Sequence, residues 1–365
     1  MLNLLTRAMN LAGACWMRRS LDEPISALLL TENQALVAGG WNGRLAKWNA
    51  SGDLEWSVKL PDRIGSISAD ENRVYVTAGL HLCAVNSTDG NVIWQQPLEG
   101  SADIVTVSDG QVYATSSVYD IEHNDFIDSA IWCFDLSGIQ TWAIHMAERP
   151  WTLNQHNSIL HLGLGRPKMG FAVISSSGEI SHQNLKSNAP VTTSANLGGE
   201  IIFAHANGDI TNRDEKLFSG DGESINAIIG LKDRILAATN KKITLLDLDY
   251  QQVTQIAPGD ITAVSKGLRI DGSLTYWCGI QDSSRGLLKI LSLVDGRELA
   301  SMQSAKITVI TENFDRIVVG DEAGEVYVWE EAMLNRRFMS GESESDDDHR
   351  QQMREKLKAL RKGEL

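Results

Sequence analysis

The sequence has little of several features that mark common functional classes. Its four cysteines lie far apart with no Cys-x-x-Cys pair, at Cys15, Cys83, Cys133 and Cys278. That spacing excludes a recognisable zinc site or disulfide framework and favours a reducing compartment. No apolar run approaches the roughly 18 residues of a transmembrane helix. Acidic residues outnumber basic ones, 47 to 33, and the net charge of −14 disfavours nucleic acid and anionic membranes as partners.

The N-terminus carries only a weak export signal. Residues 11–15 loosely resemble a lipoprotein cleavage site, but a basic n-region is missing and Arg7 and Asn10 interrupt the apolar run. We therefore expect residues 1–12 to form a short surface helix that leads into a strand, in a cytoplasmic protein. An exported propeller anchored through Cys15 is the alternative.

The chain is rich in short alternating strands separated by glycine-containing turns. In residues 43–56, two apolar-alternating runs flank the turn Asn49-Ala50-Ser51-Gly52, as in a β-hairpin. Variants of this unit recur, and the first strand of each repeat is expected near residues 25, 64, 103, 151, 190, 225, 261 and 306. Four short strands in a period of about 40 residues are typical of a β-propeller blade. The sequence therefore predicts an all-β propeller of eight four-stranded blades, with seven as the alternative if the weak fifth repeat is irregular.

The eighth repeat lacks a fourth strand, and a matching orphan strand stands at the N-terminus. Residues 13–21 resemble the outer strands that carry Trp56, Trp94 and Trp142, with Trp16 as the apparent counterpart. We expect this strand to pair with residues 326–329 and close the ring, because closure removes two open sheet edges. The propeller should span residues 13–335.

The C-terminal residues differ in composition from the repeats. Residues 336–348 are expected to form an acidic linker, and residues 349–365 an amphipathic tail helix. Met353, Leu357 and Leu360 share one narrow face of that helix. They are candidates for docking onto a partner or onto the propeller, and a solvated tail helix is the other interpretation.

Two repeats carry motifs of known families. Residues 317–329, with a Gly-Asp-x-x-Gly turn before a strand that ends in Trp329, resemble a WD-repeat blade. Residues 84–94 resemble the blade motif of pyrroloquinoline-quinone (PQQ)-type propellers. The resemblance covers about residues 13–330 and implies the fold without a function. The resemblance implies that a quinone enzyme would carry a pair of adjacent cysteines, which is absent here, and a secretion signal, of which the sequence shows only a weak one, so we expect no cofactor.

No catalytic or metal-binding set stands out. The insertion at residues 117–129 is acidic, but its spacing matches no calcium loop. The eight histidines accompany no nucleophile motif. We therefore expect a non-catalytic scaffold, monomeric by itself, that binds protein partners. An enzyme that uses the central channel is a further alternative.

Loops between second and third strands share one face of a propeller with the links between blades. Arginines and aromatic residues among polar loops are typical of a protein-binding rim, although long loops also vary without function. The partner-binding candidates on this face are Trp41, Arg63, Tyr119, Phe126, Arg149, Arg166, Lys168 and Arg285.

Overall fold

The computed structural model describes residues 11–156, 159–282 and 285–340. Within these ranges it contains eight four-stranded antiparallel sheets and one helix, and each sheet is one blade of a closed propeller. The prediction of eight blades is confirmed. The first strands of the eight blades begin within two residues of the predicted positions.

A short strand, β1 (Met17–Ser20), comes before blade 1 in the chain. Blade 1 contains β2 (Ile25–Leu30), β3 (Leu36–Gly40), β4 (Arg44–Trp48) and β5 (Leu54–Lys59). Blade 2 contains β6 (Ile64–Ala69), β7 (Arg73–Ala78), β8 (His81–Asn86) and β9 (Val92–Pro97). Blade 3 contains β10 (Ser101–Ser108), β11 (Gln111–Asp120), β12 (Asp125–Asp135) and β13 (Gln140–Met146). Blade 4 contains β14 (Pro150–His156), β15 (Ile159–Leu164), β16 (Phe171–Ile174) and β17 (Ile180–Gln183).

The second half of the ring follows the same plan with shorter strands in blades 5 and 6. Blade 5 contains β18 (Val191–Leu197), β19 (Glu200–His205), β20 (Ile210–Thr211) and β21 (Lys216–Phe218). Blade 6 contains β22 (Ala227–Gly230), β23 (Ile235–Ala238), β24 (Ile243–Leu246) and β25 (Gln252–Ile256). Blade 7 contains β26 (Asp260–Lys266), β27 (Thr275–Asp282), β28 (Arg285–Ser292) and β29 (Glu298–Ser304). Blade 8 contains β30 (Ile307–Asn313), β31 (Arg316–Asp321) and β32 (Glu325–Glu330), and α1 (Glu331–Ser340) follows it.

The core lies between blades. Successive side chains of a strand point to opposite faces, so each middle strand contributes to two interfaces. In β3, Leu36 and Ala38 pack toward blade 8, while Val37 packs toward blade 2. The described residues form eight such clusters, one at each junction between neighbouring blades. Burial on both faces explains why the middle strands are continuously apolar.

The N-terminal strand closes the ring, as predicted. β1 pairs antiparallel with β32, with Met17 opposite Val328 and Ser20 opposite Glu325. Arg18 Nε adds an ion pair of 2.6 Å to Glu325 Oε2. The fourth strand of blade 8 therefore comes from the opposite end of the chain, and closure pairs both terminal edges of the array.

Outer-strand tryptophans join the first four blades. Each of Trp56, Trp94 and Trp142 donates its indole N–H to a carbonyl of the next blade, at distances of 2.9, 3.0 and 3.2 Å. Each ring also covers a glycine with positive φ in that blade's turn, namely Gly90, Gly138 and Gly178. A Cβ atom at Gly90 would lie 2.9 Å from the ring of Trp56, so a side chain cannot enter without displacing the indole.

The expected equivalence of Trp16 to these tryptophans is wrong by one residue. Met17 lies opposite Val328 in β32, as Trp56 lies opposite Lys47 in β4. Met17 Sδ accordingly occupies the space over Gly52, where a Cβ atom would be only 2.6 Å away. Trp16 instead stacks with Arg316, whose guanidinium carbon is 4.3 Å from the ring centroid. The pairing register, rather than the residue type, decides which side chain faces the next blade.

The helix α1 extends the buried core beyond the last strand. Met333 and Leu334 are buried, and the amide oxygen of Asn335 accepts a 2.8 Å hydrogen bond from the backbone N–H of Asp271. α1 crosses residue 336, where the linker was expected to begin. The predicted tail helix at residues 349–365, with Met353, Leu357 and Leu360, lies outside the described residues. The expected N-terminal surface helix also falls mostly outside them, and Leu11, which is described, is buried.

Candidate functional site

The topology collects the predicted binding residues on one end of the propeller. Neighbouring strands run antiparallel, so the loops between second and third strands lie at the same end as the links between blades. We call this end the loop face. All the described candidates lie on this face, in loops, links and strand ends: Trp41, Arg63, Tyr119, Phe126, Arg149, Arg166, Lys168 and Arg285.

Arg149, in the link from blade 3 to blade 4, is the centre of an aromatic cluster. Its guanidinium carbon lies 3.9 Å from the ring centroid of Phe126 and 4.1 Å from that of Trp151. Tyr119 meets Phe126 edge to face at 5.1 Å. Such contacts immobilise the arginine and leave a rigid apolar surface around it. The structure thus brings together three of the predicted residues, Tyr119, Phe126 and Arg149.

An ion pair with Asp103 also holds Arg149 in place. Arg149 Nη2 lies 2.9 Å from Asp103 Oδ1, and the other carboxylate oxygen of Asp103 accepts a hydrogen bond from Ser117. Burial raises the pKa of Asp103 and lowers the pKa of Arg149, so the charged form of each depends on its partner. The guanidinium therefore makes its contacts within the protein, and its aromatic neighbours lie on the outer side.

A second cation–π pair lies one link away. The guanidinium of Arg63 lies 3.9 Å from the ring centroid of Trp41. Between the two clusters runs a groove of about 550 Å³, lined by residues that include Arg63, Leu80, Arg149 and Trp151. The groove makes blades 1 to 4 one continuous part of the loop face.

The remaining predicted cations are arranged differently. Lys168 Nζ lies 3.9 Å from the buried carboxylate of Glu148, and Arg166 is exposed in the same loop. Gly165, just before them, packs closely against Trp151, so this loop borders the aromatic cluster. Arg285 is exposed on the hairpin of blade 7, and blade 8 separates it from blade 1. The structure does not bring Arg285 to the cluster.

Sequence reasoning missed several exposed apolar residues of the same surface. Leu80, Ile121 and Ile127 are more than half exposed, at 55%, 86% and 53%. With the predicted aromatics and Trp151 they form an apolar arc over blades 1 to 4: Trp41, Leu80, Tyr119, Ile121, Phe126, Ile127 and Trp151. Their position at the hairpin tips between second and third strands was the available signal, since an apolar side chain at such a tip has no neighbouring strand to bury it.

Other chemistry on the described surface is sparse. The one group of three metal-ligating side chains found there comprises Glu99, Asp128 and His145, whose donor atoms lie within 4.8 Å of one another. All three are exposed, and exposed carboxylates commonly cluster in this way without an ion. The cysteines are free thiols, and burial raises the pKa of Cys15, Cys83 and Cys278 to about 12, which makes them poor nucleophiles. None of the described helices is long and apolar enough to cross a membrane.

The blade plan defines a β-propeller, and the family model that matches the chain is of the PQQ-like type. A family model described as "Outer membrane protein assembly factor BamB" matches residues 12–97 and 42–216, which together span more than half of the chain. The chain belongs to this family. The matched region includes the blades joined by outer-strand tryptophans.

Solved structures share the fold at low sequence identity. BamB from Moraxella catarrhalis is 13% identical with a TM-score of 0.68, and the match covers 87% of this chain and 99% of that one. Sqt1 from Saccharomyces cerevisiae is 10% identical with the same TM-score, over 87% and 98% of the two chains. The computationally designed Ika8 protein is 15% identical, also with a TM-score of 0.68, over 86% and 98%. No curated protein sequence matches the chain.

Proposed function

We propose that this propeller is a non-catalytic platform that binds protein partners through the apolar arc of its loop face. The observation that carries the proposal is the arc itself, in which exposed aromatic and aliphatic side chains surround the immobilised Arg149. Protein interfaces are enriched in aromatic residues and arginine, and rigid anchors lose little conformational entropy on binding. The family description as an assembly factor supports a binding role rather than a reaction.

The proposal includes the cellular compartment in which the protein works. We favour the cytoplasm, and the free thiols are compatible with it. An exported, envelope-assembly role suggested by the family description is the second candidate. Against lipid attachment at Cys15 stands the packing of the segment before it. Leu11 and Ala14 are buried, and the Leu11 carbonyl accepts a 2.9 Å hydrogen bond from the indole of Trp329. Cleavage before Cys15 would remove these contacts.

The arc can be tested without disturbing Arg149. A triple variant, Trp41→Ser, Tyr119→Ser and Ile127→Ser, removes three exposed apolar side chains. A control variant, Leu54→Ser, Leu248→Ser and Phe314→Ser, removes three that are comparably exposed on the opposite face. Affinity purification from the native host with mass spectrometry should lose specific partners only for the arc variant. Retention of every partner by a folded arc variant would refute the loop face as the binding surface.

A further inference from the structure

The charge distribution is strongly uneven along the chain. Residues 74–148, most of blades 2 and 3, contain no lysine or arginine. The same stretch contains these carboxylates: Asp89, Glu99, Asp103, Asp109, Asp120, Glu122, Asp125, Asp128, Asp135 and Glu148. The antiparallel topology places seven of them, all except Asp89, Asp109 and Asp135, on the loop face. Asp103 is paired with Arg149 and Glu148 with Lys168, so the other five present negative charge to the partner-binding surface around blade 3.

The tip of blade 3 projects beyond its neighbouring strands. β10 pairs with β11 only as far as Ser117, and β13 pairs with β12 only from Ser129. Residues 118–120 and 125–128 pair with each other alone, so this two-stranded tip has an open edge on each side. An open edge supplies backbone donors and acceptors to an added extended chain.

The tip combines apolar side chains with exposed carboxylates. Ile121 and Ile127 are exposed beside Glu122 and Asp125. Glu99 and Asp128 lie within metal-ligand distance of each other next to the tip. Among the described residues, the only basic side chains within ion-pair distance of the tip carboxylates are two histidines: His123 beside Asp120 and His145 beside Glu99.

Three cations of the loop face have other partners. Arg149 is bound to Asp103, Lys168 lies beside Glu148, and Arg63 stacks on Trp41. They do not neutralise the tip, so the local field remains that of an acidic surface on a protein of net charge −14. Such a field repels anionic ligands and attracts cationic ones.

We propose that the tip of blade 3 docks an extended, lysine- or arginine-rich segment of a protein partner. Apolar side chains of that segment would contact Ile121 and Ile127, and its cations would pair with Glu99, Glu122, Asp125 and Asp128. The inference rests on the proposed function, because it names the chemistry of the partner on the same face. Charge complementarity selects the basic occupant, and the open edges select an extended one.

The test uses the full chain and a defined probe. A fluorescein-labelled peptide of alternating Lys and Val is compared with Glu/Val and Lys/Ser peptides by fluorescence anisotropy, at physiological ionic strength of about 0.15 M. The tip variant is Glu99→Gln, Glu122→Gln, Asp125→Asn and Asp128→Asn. The control variant makes the same charge change at exposed positions of blades 5 and 6, with Asp214→Asn, Glu215→Gln, Asp233→Asn and Asp249→Asn.

We expect the Lys/Val peptide to bind best and the tip variant to weaken it by about tenfold, against less than about twofold for the control. Equal weakening by both variants would mean diffuse attraction to an acidic protein and would overturn the site. Preferential binding of the Glu/Val peptide would overturn the charge assignment. Loss of native partners from the arc variant but not from the tip variant would reject this inference while leaving the proposed function intact.

Discussion

Blades 1 to 3 and blades 6 and 7 share a backbone register but build their junctions from different side chains. In the first group, Trp56, Trp94 and Trp142 occupy the third position of the outer strand, next to a register shift. The same position, beside the same shift, is Thr254 in blade 6 and Ala300 in blade 7. The large aromatics of the second half lie on middle strands instead, where Trp277 and Trp329 meet at 5.0 Å.

The difference shows that one backbone can place its largest contacts at different radii. An outer tryptophan joins two blades at the rim and needs a turn glycine opposite it. An inner tryptophan joins them nearer the axis and leaves the rim to small residues. The two halves should therefore differ in how much stability they lose on equivalent substitutions.

Substitutions at the junction of blade 8 and blade 1, where β1 pairs with β32, should lower the free energy of unfolding most. The double variant Met17→Ala and Leu21→Ala removes two buried side chains that contact both blades. Substitutions of this kind cost about 2–5 kcal/mol each, so the free energy of unfolding in urea should fall by about 5 kcal/mol. Arg18→Ala with Ser20→Ala, on the exposed side of the same strand, should cost below about 1 kcal/mol. Equal losses from the two pairs would contradict closure by side-chain burial.

The next largest contrast should separate the outer strands. Trp56→Ala removes a buried ring and its hydrogen bond to Ser87, and should destabilise the protein by about 3–5 kcal/mol. Thr254→Ala, at the matching position of blade 6, should cost below about 1 kcal/mol because little volume is lost. Chemical denaturation of both variants measures the difference. A comparable loss at Thr254 would show that the outer strands contribute similarly to stability in both halves.

The glycine opposite the tryptophan offers a more focused test. Gly90 and Gly110 both have positive φ, at 75° and 74°, but only Gly90 faces an indole. Alanine in this conformation costs about 1–2 kcal/mol by itself. Gly110→Ala measures that backbone cost alone, since nothing lies within 4 Å of the added carbon. Gly90→Ala should cost about 1 kcal/mol more in thermal or urea unfolding, and equal effects would remove the tryptophan from the explanation.

The smallest effect on the free energy of unfolding should come from pH, through a histidine of blade 5. The third and fourth strands of this blade are short. His205 is fully buried and hydrogen-bonded to the Ala189 carbonyl and Thr211, and burial lowers its pKa. The unfolded chain takes up a proton near pH 6.5 while the folded chain does not. Stability should therefore fall below that pH, by at most about 1.4 kcal/mol per pH unit for this group.

His205→Gln serves as the control for the pH effect, because glutamine does not titrate. Urea unfolding between pH 7.5 and 5.5 should show a shallower decline for this variant than for the natural protein. An identical pH dependence would assign the decline to other groups, among them His161, whose pKa burial also lowers.

The sequence contained enough periodicity to predict the blades, since alternation and turn glycines are local properties. It also predicted closure by the N-terminal strand, because that strand resembles the other outer strands. The error at Trp16 arose where residue type and register disagreed, and only pairing with β32 assigns the contact to Met17. The candidate site was predicted as a list of residues on one face. Its grouping was not, since residues 126, 149 and 151 come from different elements.

What the sequence alone determined is the repeat: four short strands, a turn and an apolar middle, written eight times. Tertiary structure decided which side chains meet across blades and which arginines stack on aromatic rings or pair with carboxylates. It also decided where negative charge has no cation beside it. The absence of lysine and arginine from residues 74–148 was visible in the sequence. Its consequence was not, because only the folded ring sets the tip of blade 3 beyond its neighbouring strands.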